Sequence, residues 1–429
     1  MSKLINLKKL YSKPLFVNIT SLGLLQIANY AIPILIIPFV TRALGADFFG
    51  KASYAQNIIA YLTIIVNYGF EYSATQDIAL HRDDKSKLRT IFWTVIRFKI
   101  ILLIISFLIL GILYFTFYRV NEDPLLYFYA ALINIGFVMF PTWFFQGIEK
   151  MKDMAIFSFI IKLLGAILVI WVVNTPADYK NYILILSLSY VLIGIVSFLY
   201  VVKKYDLISN HEKDKALSNN VIKKGAPIFW HGLFAGFYAI AGITIVGIYL
   251  TDKDVGLYAG VYKIIMAITV ILGVPIHTSI FPIISRKFNE SIKEGFLFFR
   301  KTLLWSSILG IVIGCFVFFM SPYIVNLFLG HEFSQAIDLL KLFSPLPCLL
   351  IVASFFIIQG LFGMQLHRYA PVISIAVCVF SVTLSFILIP RIGLKGAVIA
   401  LLLSEVLDIL LGITLLVIVF IKKKWTLTK

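Results

Sequence analysis

The chain has 429 residues, of which 60% are hydrophobic and 14% are charged, and its formal net charge is +17. Its mean hydropathy of +0.96 excludes an ordinary soluble globular protein, because such a fold needs polar residues along every element. Here the polar residues are concentrated between long apolar runs, as in a bundle of membrane-spanning helices. The three cysteines lie singly within apolar runs, so neither a disulfide framework nor a metal site is indicated.

Apolar windows of spanning length follow one another from the N-terminus to the C-terminus. The first is preceded by a basic stretch, but it is too long for a signal peptide and has no small-residue cleavage site. A spanning helix needs about 20 apolar residues, and twelve windows meet this requirement. They lie near residues 15–40, 52–78, 95–118, 125–147, 154–174, 180–202, 226–250, 256–281, 300–325, 337–363, 369–389 and 394–421.

Basic residues near the span ends are distributed unequally between alternate connections. Connections on the side of the termini carry 26 Lys and Arg residues, whereas those on the opposite side carry 8. Because positively charged connections are retained in the cytoplasm, both termini are predicted to be cytoplasmic. The excess charge is thereby assigned to topology and to anionic lipid headgroups, so nucleic acid is not expected as a partner.

The chain shows signs of an internal repeat. Its longest polar stretch, 203–224, is predicted to be a cytoplasmic linker between an N-terminal six-helix lobe, 1–202, and a C-terminal six-helix lobe, 225–429. Two motifs recur in the same order: LGADFFG (44–50) with LTDKDVG (250–256), and QGIEKM (146–151) with QGLFGM (359–364). Because six spans separate the copies, both have the same orientation, which predicts that the halves are related by an axis along the membrane normal.

At these motifs the sequence resembles the bacterial polysaccharide-export flippases, in particular the O-antigen flippases of the multidrug/oligosaccharidyl-lipid/polysaccharide exporter superfamily. The matching stretches are PFVTRALG (38–45) with FG (49–50), YGF (68–70) with AT (74–75), PTWFFQG (141–147) with EKM (149–151), and VGLYA (255–259). The resemblance implies a MATE-like fold, an all-α membrane protein of about twelve transmembrane helices in two six-helix lobes around a central cleft.

The same resemblance implies a function by alternating access. The substrate would be an undecaprenyl-pyrophosphate-linked oligosaccharide, moved from the cytoplasmic to the periplasmic face of the bacterial inner membrane during the biosynthesis of lipopolysaccharide or a related polysaccharide. Membrane lipids would surround the protein, and the polysaccharide polymerase and chain-length machinery would be its partners. The glycan itself cannot be read from the residues.

Two lysines inside spans are candidates for binding the pyrophosphate, since an anionic headgroup needs a cationic path through hydrocarbon. Lys162 lies about nine residues into span five and Lys263 about seven residues into span eight, which corresponds to depths of about 13 and 10 Å. Either ammonium group can bind phosphate as a point charge. The alternatives are snorkelling to the membrane surface or a buried pair with an acid.

Three further cations lie near span ends. Arg42, at the periplasmic end of span one, can bind phosphate bidentately or pair with Asp47 and anchor the turn. Arg97 and Lys99, near the cytoplasmic start of span three, can form a funnel for the headgroup or anchor the helix at the interface.

Four acids lie within spans, Glu71 and Asp77 in span two and Glu405 and Asp408 in span twelve. The last two are spaced i, i+3 on one helical face. Such carboxylates suggest coupling to protons or cations, or they neutralise basic residues on neighbouring helices. Cation-coupled drug exporters of the superfamily place acids in span one or seven, and this chain has none there, so drug export is the less favoured alternative.

Prolines interrupt two spans, Pro33 and Pro38 in span one and Pro275 and Pro282 in span eight. Such residues kink or hinge a helix in a membrane, because carbonyl groups lose their partners. Rocking between states can use these positions as hinges.

An enzyme is the alternative from another class. Membrane polysaccharide polymerases and ligases should carry a large periplasmic loop, and the predicted periplasmic loops are all short. The sequence also has no phosphate-cradling Gly-rich loop with Lys-Ser/Thr, so ATP hydrolysis is not expected. The prediction is therefore a transporter without a cofactor.

Overall fold

The structure is a computed structural model that describes residue 29 and residues 31–208, 214–364, 366 and 369–427. Within these ranges every regular element is helical. Most of the first predicted span, residues 15–28 and 30, lies outside the described residues.

Eleven segments of the described chain are long and apolar enough to cross a membrane, which confirms an all-α multi-pass membrane protein. The first of them, Ile32–Leu80, contains the end of predicted span one and all of predicted span two, which accounts for the difference from twelve. The others are Lys85–Thr116, Pro124–Gly147, Met151–Val172, Pro176–Lys204, Lys215–Tyr249, Asp252–Glu290, Ile292–Phe328, Ala336–Phe362, Ala370–Ile392 and Leu394–Ile418.

Fifteen α-helices make up the described part of the chain, the first of which is interrupted at Gly45, where φ is 68° and ψ is 176°. They are α1 (Ile32–Asn67), α2 (Phe70–Leu80), α3 (Lys85–Thr116), α4 (Tyr118–Glu122), α5 (Pro124–Met139), α6 (Thr142–Gly147), α7 (Met151–Val172), α8 (Tyr179–Lys204), α9 (Lys215–Tyr249), α10 (Asp252–Glu290), α11 (Ile292–Phe328), α12 (Ala336–Phe343), α13 (Leu346–Ser354), α14 (Ala370–Ile392) and α15 (Leu394–Leu427). Short 3-10 helices cover Pro176–Asp178 and His331–Phe333, and a π-helical segment covers Phe355–Phe362.

Predicted span two is not one helix. It breaks between α1 and α2, where Tyr68 and Gly69 have φ values of 50° and 76°. A Cβ atom on Gly69 would lie 2.8 Å from Cγ2 of Ile228, so both the backbone and the space require glycine. The Tyr68 ring packs against Phe98 and Phe229, with centroids 4.7 and 5.0 Å away. The apolar pattern continues through the break because these rings pack together, so hydropathy does not reveal it.

The chain divides into two compact units. Of the described residues, the first unit contains those up to Ile36 and those within Ile59–Asn174 and Lys180–Phe229, and the second contains those within Ile37–Ile58, Thr175–Tyr179 and Trp230–Lys429. Residues 37–58, which the sequence places in the N-terminal lobe, pack within the second unit. The arrangement of two six-helix lobes around a cleft remains a prediction.

In the second unit the first pair of repeated motifs meets directly. A Cβ atom on Gly50 would lie 1.8 Å from the carbonyl oxygen of Asp252, and one on Gly256 would lie 2.1 Å from the carbonyl oxygen of Ala46. Ala46 and Asp252, like Gly50 and Gly256, are 206 positions apart in the sequence. The contact is therefore reciprocal between equivalent residues, as a local two-fold axis produces. The motifs are structural equivalents, and glycine at both positions allows the backbones of α1 and α10 to touch.

Candidate functional site

Lys162 is a buried cation held by neutral groups in the first unit. Its side chain, on α7, is 8% exposed. The ammonium group donates hydrogen bonds to the amide oxygen of Asn29 and, at 3.3 Å, to the hydroxyl of Tyr190 on α8. It also lies 4.5 Å from the centroid of the Tyr190 ring, which adds a cation–π contact. Within the described ranges no carboxylate oxygen lies within 4.0 Å of it, so its charge is not neutralised by an acid there.

Lys263 has a similar environment in the second unit. Its ammonium group, on α10, donates to the hydroxyl of Ser53 at 3.1 Å and to the amide oxygen of Gln56 at 2.9 Å. The centroid of the Phe49 ring lies 4.8 Å away. Among the residues that the structure describes, no acid pairs with Lys263 either. Both intramembrane lysines are thus surrounded by neutral acceptors and one aromatic ring.

The neutral residues around the two lysines were missed in the sequence. Asn29, Tyr190, Ser53 and Gln56 interrupt apolar windows without carrying a charge, so the pattern of intramembrane charges does not point to them. A search for uncharged polar side chains at span depth would have found them, since such groups are buried only with hydrogen-bond partners.

Lys99 is fully buried rather than interfacial. The reason is that α3 begins at Lys85, ten residues before the predicted span, so Lys99 lies about 21 Å along the helix. Its side chain is 1% exposed, and its ammonium group donates to the carbonyl oxygen of Phe137 at 2.7 Å. Glu71 on α2 attracts Lys99 electrostatically and accepts a hydrogen bond from the hydroxyl of Thr142. The pair forms a buried polar network that ties α2, α3, α5 and α6 together.

Arg97, in contrast, is exposed and lines a small polar pocket between α3 and the start of α9. The pocket has a volume of about 180 Å³ and also contains Lys215 and the hydroxyl groups of Thr90, Thr94 and Ser218. The hydroxyl oxygens of Thr94 and Ser218 are 2.9 Å apart. Two cations beside hydroxyl groups are compatible with the predicted headgroup funnel.

Arg42 anchors the end of a helix. Its guanidinium, on α1, donates to the carbonyl oxygens of Asn326 at 3.3 Å and Leu327 at 3.0 Å, and also to Pro38 in its own helix. Asn326 and Leu327 belong to the last turn of α11, whose final carbonyl groups have no partner within the helix. The partners of Arg42 are helix carbonyls instead of the predicted Asp47, and phosphate binding by its exposed guanidinium stays a prediction.

Asp77 is neutralised by a lysine, which was the alternative to a coupling role. Its carboxylate on α2 is 1% exposed and lies 2.5 Å from the ammonium group of Lys224 on α9. Lys224 is 38% exposed, so the pair joins the interior of the first unit to its surface.

We expect Lys224→Met to lower the free energy of unfolding by about 1–3 kcal/mol, because the buried carboxylate of Asp77 would lose its partner. Lys224→Arg keeps the charge and should lower the free energy of unfolding less. The neighbouring Lys223, which is exposed and has no ion pair in the described structure, provides the control Lys223→Met. The measurement is thermal unfolding of the purified protein in detergent. Equal midpoints for Lys224→Met and Lys223→Met would show that the ion pair does not stabilise the fold.

Glu405 and Asp408 are buried carboxyl groups on one face of α15. They are 2% and 9% exposed, and Tyr238 on α9 donates a hydrogen bond to Glu405. No Lys or Arg of the described chain lies within 4.0 Å of either group. Unlike Asp77, which forms an ion pair with Lys224, these two acids have no cationic partner within 4.0 Å in the described part of the protein.

The predicted hinge prolines occupy two kinds of position. Pro33 follows Ala31, a π-helical residue with φ −73° and ψ −44°, and so stands where a π-helical turn passes into α1. Pro38 lies inside α1, and Pro275 and Pro282 lie inside α10, which continues without interruption from Asp252 to Glu290. The hydroxyl of Ser279 donates to the carbonyl oxygen of Pro275 at 2.6 Å. A hinge function for these residues remains a prediction.

Aromatic residues of the motif regions pack in the core for the most part. Trp143 and Phe144 are fully buried, with ring centroids 5.8 and 5.7 Å from Phe92. Both rings are therefore part of the packed core of the first unit. Tyr72 is 72% exposed.

Sequence comparison identifies relatives over nearly the whole chain. The family model described as polysaccharide biosynthesis protein matches residues 15–288. A protein of Escherichia coli (strain K12) named "Putative O-antigen transporter" is 28% identical over 409 residues, which cover 94% of this chain and 96% of that protein. A protein of Shigella dysenteriae with the same name is 27% identical over 401 residues, which cover 92% and 98%.

Solved structures share the fold. A multidrug resistance MATE family transporter of the MOP superfamily in an inward-facing conformation has a TM-score of 0.70 at 14% identity, with 93% of this chain and 98% of that chain covered. The lipid II flippase MurJ in an inward closed conformation has a TM-score of 0.68 at 12% identity, with 93% and 87% covered. These likenesses confirm the predicted MATE-like fold. The family model matches well over half of this chain, so the chain belongs to the polysaccharide biosynthesis protein family.

Proposed function

We propose that this protein translocates undecaprenyl-pyrophosphate-linked oligosaccharide repeat units, of O-antigen or a related surface polysaccharide, from the cytoplasmic to the periplasmic face of the membrane. The family, the relatives and the fold support a membrane transporter of the polysaccharide flippase type rather than an enzyme. The observation that carries the finer proposal is the buried ammonium group of Lys162, whose described partners are all neutral.

A pyrophosphate headgroup requires a positively charged group that is not already paired with an acid. A carboxylate beside Lys162 would cancel its charge, whereas the amide of Asn29 and the hydroxyl of Tyr190 leave it available to an anion. Hydrogen bonds from an ammonium to a phosphate oxygen are charge-assisted and about twice as strong as neutral ones. Lys263 offers the same chemistry in the second unit through Ser53 and Gln56. Each unit therefore contains a lysine that can hold phosphate at membrane depth.

Glu405 and Asp408 are the candidates for coupling transport to an ion gradient. Two carboxyl groups buried on one helical face without a basic partner in the described chain favour uptake of a proton or cation over permanent ionisation. Asp77 forms an ion pair with Lys224, and Glu71 accepts a hydrogen bond from Thr142 and is attracted electrostatically by Lys99, which favours a structural role for both acids.

We also propose a membrane location, an orientation and protein partners. The protein would lie in the bacterial inner membrane with both termini in the cytoplasm, because 26 basic residues flank the spans on that side against 8 on the other. The polysaccharide polymerase and chain-length machinery would then receive the substrate on the periplasmic face.

Deletion of the gene tests the function. We expect lipid-linked repeat units to accumulate on the cytoplasmic face of the inner membrane, because their synthesis continues while their movement stops. The measurement compares labelling of the glycan by an impermeant probe in spheroplasts and in inverted membrane vesicles, with a strain complemented by the wild-type gene as control. Accumulation on the periplasmic face would instead indicate a polymerase or ligase. Normal glycan export with increased drug sensitivity would indicate a small-molecule exporter.

A further inference from the structure

A large apolar groove lies in the second unit, apart from the lysines described above. It has a volume of about 1110 Å³ and is lined by the connection between α10 and α11, the first turns of α11, the π-helical segment and α15. Phe296, Leu303, Phe356 and Ile413 contribute to its apolar wall. Small-molecule sites have volumes of about 300–1,000 Å³, so this groove is large enough for a long hydrocarbon chain.

One face of α11 carries both the apolar wall and two cations. Lys293, Phe296, Arg300 and Leu303 follow one another at spacings of three, four and three residues, so they form a single stripe along the helix. Both cations line the groove and are exposed, and they lie about 10 Å apart along the helix axis.

The acids near this stripe are engaged by other cations. Glu290 lies 3.8 Å from Arg286, and Glu294 lies 3.9 Å from Lys287. In the described ranges neither Lys293 nor Arg300 has an acidic partner within 4.0 Å. Glu290 itself lines the groove, so the lining carries two cations, Lys293 and Arg300, and one acid, and its net charge is positive.

Charge and shape together favour one occupant. A polyisoprenyl pyrophosphate combines a long methyl-branched chain with a headgroup of more than one negative charge, which matches two cations on the edge of an apolar groove. A phospholipid such as phosphatidylglycerol carries a single negative charge and two chains. The rings of Phe296 and Phe356 lie 6.3 and 5.6 Å from that of Phe299 and provide edges and faces for branched, unsaturated chain segments.

We propose that this groove holds the polyisoprenyl chain of the lipid-linked substrate, with the pyrophosphate bound between Lys293 and Arg300. The inference rests on the proposed function and adds a lipid site to it. The distribution of basic residues predicts that the connection between α10 and α11 is cytoplasmic. The groove would thus take up the substrate on the face where it is assembled, before the headgroup reaches the buried lysines.

Binding of undecaprenyl pyrophosphate to the full-length protein in phosphatidylcholine nanodiscs tests this site. We expect Lys293→Gln combined with Arg300→Gln to raise the Kd at least tenfold, because two charge-assisted contacts are lost. Ile413→Trp, which fills the groove from α15, should raise it at least threefold. Lys301→Gln is the matched control, because Lys301 is an exposed cation beside Arg300 that does not line the groove. It should leave the Kd unchanged.

Competition with phosphatidylglycerol distinguishes the two lipid sources. Displacement of the probe at equal concentrations would show a general anionic-lipid site and overturn the proposal, as would unchanged affinity in the charge-removing variant. The same variants are examined for repeat-unit export in the deletion strain. Failure of the wild-type gene to restore export would contradict the proposed function. Restored export, with wild-type lipid binding in the groove variants, would contradict only the groove.

Discussion

Lys162→Met is expected to lower the rate of repeat-unit transport by about 10- to 100-fold. The estimate follows from the loss of one hydrogen bond to a charged group, which contributes about 1.5–3 kcal/mol. Methionine fills nearly the same volume, so packing of α7 against α8 should be kept while the positive charge is removed. Lys162→Ala should be equally inactive, whereas Lys162→Arg retains the charge and should keep most of the activity.

The measurement is movement of a lipid-linked oligosaccharide across vesicles containing the purified protein. Lys152→Met provides the control, because Lys152 lies on the same helix and its side chain is exposed. Thermal unfolding of each variant shows whether a loss of transport reflects a loss of folded protein. Equal transport by the alanine and arginine variants would remove Lys162 from the substrate path, and the function would then rest on family and fold alone.

Gly50→Ala is expected to reduce the amount of folded protein severely. The new Cβ atom would lie 1.8 Å from the carbonyl oxygen of Asp252, and a backbone oxygen cannot move to another rotamer. Overpacking of a side chain costs about 1–3 kcal/mol, and here α1 and α10 would have to separate. The reciprocal contact predicts the same effect for Gly256→Ala, whose Cβ atom would lie 2.1 Å from the carbonyl oxygen of Ala46.

Gly111→Ala is the matched control for these two variants. Gly111 also lies inside a helix, α3, but a Cβ atom there would meet no atom within 4 Å. Alanine is favoured over glycine in a helix by about 1 kcal/mol, so this variant should be as stable as wild type or slightly more so. The measurement is the yield of monodisperse protein and its unfolding midpoint in detergent. Wild-type stability of Gly50→Ala would mean that the two motifs do not touch as the structure indicates.

The contact between the paired motifs also positions Lys263. Lys263 follows Gly256 by seven residues on α10, two turns further along the same helix, and its partners Ser53 and Gln56 follow Gly50 on α1. The close approach of the two glycines therefore brings the ammonium group of Lys263 within hydrogen-bonding distance of α1. Separation of the two backbones should also remove the neutral hydrogen-bond partners of this lysine.

The sequence by itself determined the class of protein. Long apolar windows and short polar connections require membrane-spanning helices, since only a helix or a closed barrel satisfies its backbone in hydrocarbon. The few charges inside those windows, such as Lys162 and Lys263, were visible as exceptions to the apolar pattern. The repeated motif around Gly50 and Gly256 was also visible, because a close backbone contact requires glycine in both copies.

Only the tertiary structure decided what each of these groups touches. Spacing along a helix does not tell which neighbouring helix faces a side chain, so the ion pair of Asp77 with Lys224 and the helix-capping contacts of Arg42 could not be read. The break at Tyr68 and Gly69 was hidden because its residues pack against aromatic rings and remain apolar. The hydrogen bond between Lys162 and Asn29 joins residues 133 positions apart. Such contacts arise from helix packing, which hydropathy along the sequence does not encode.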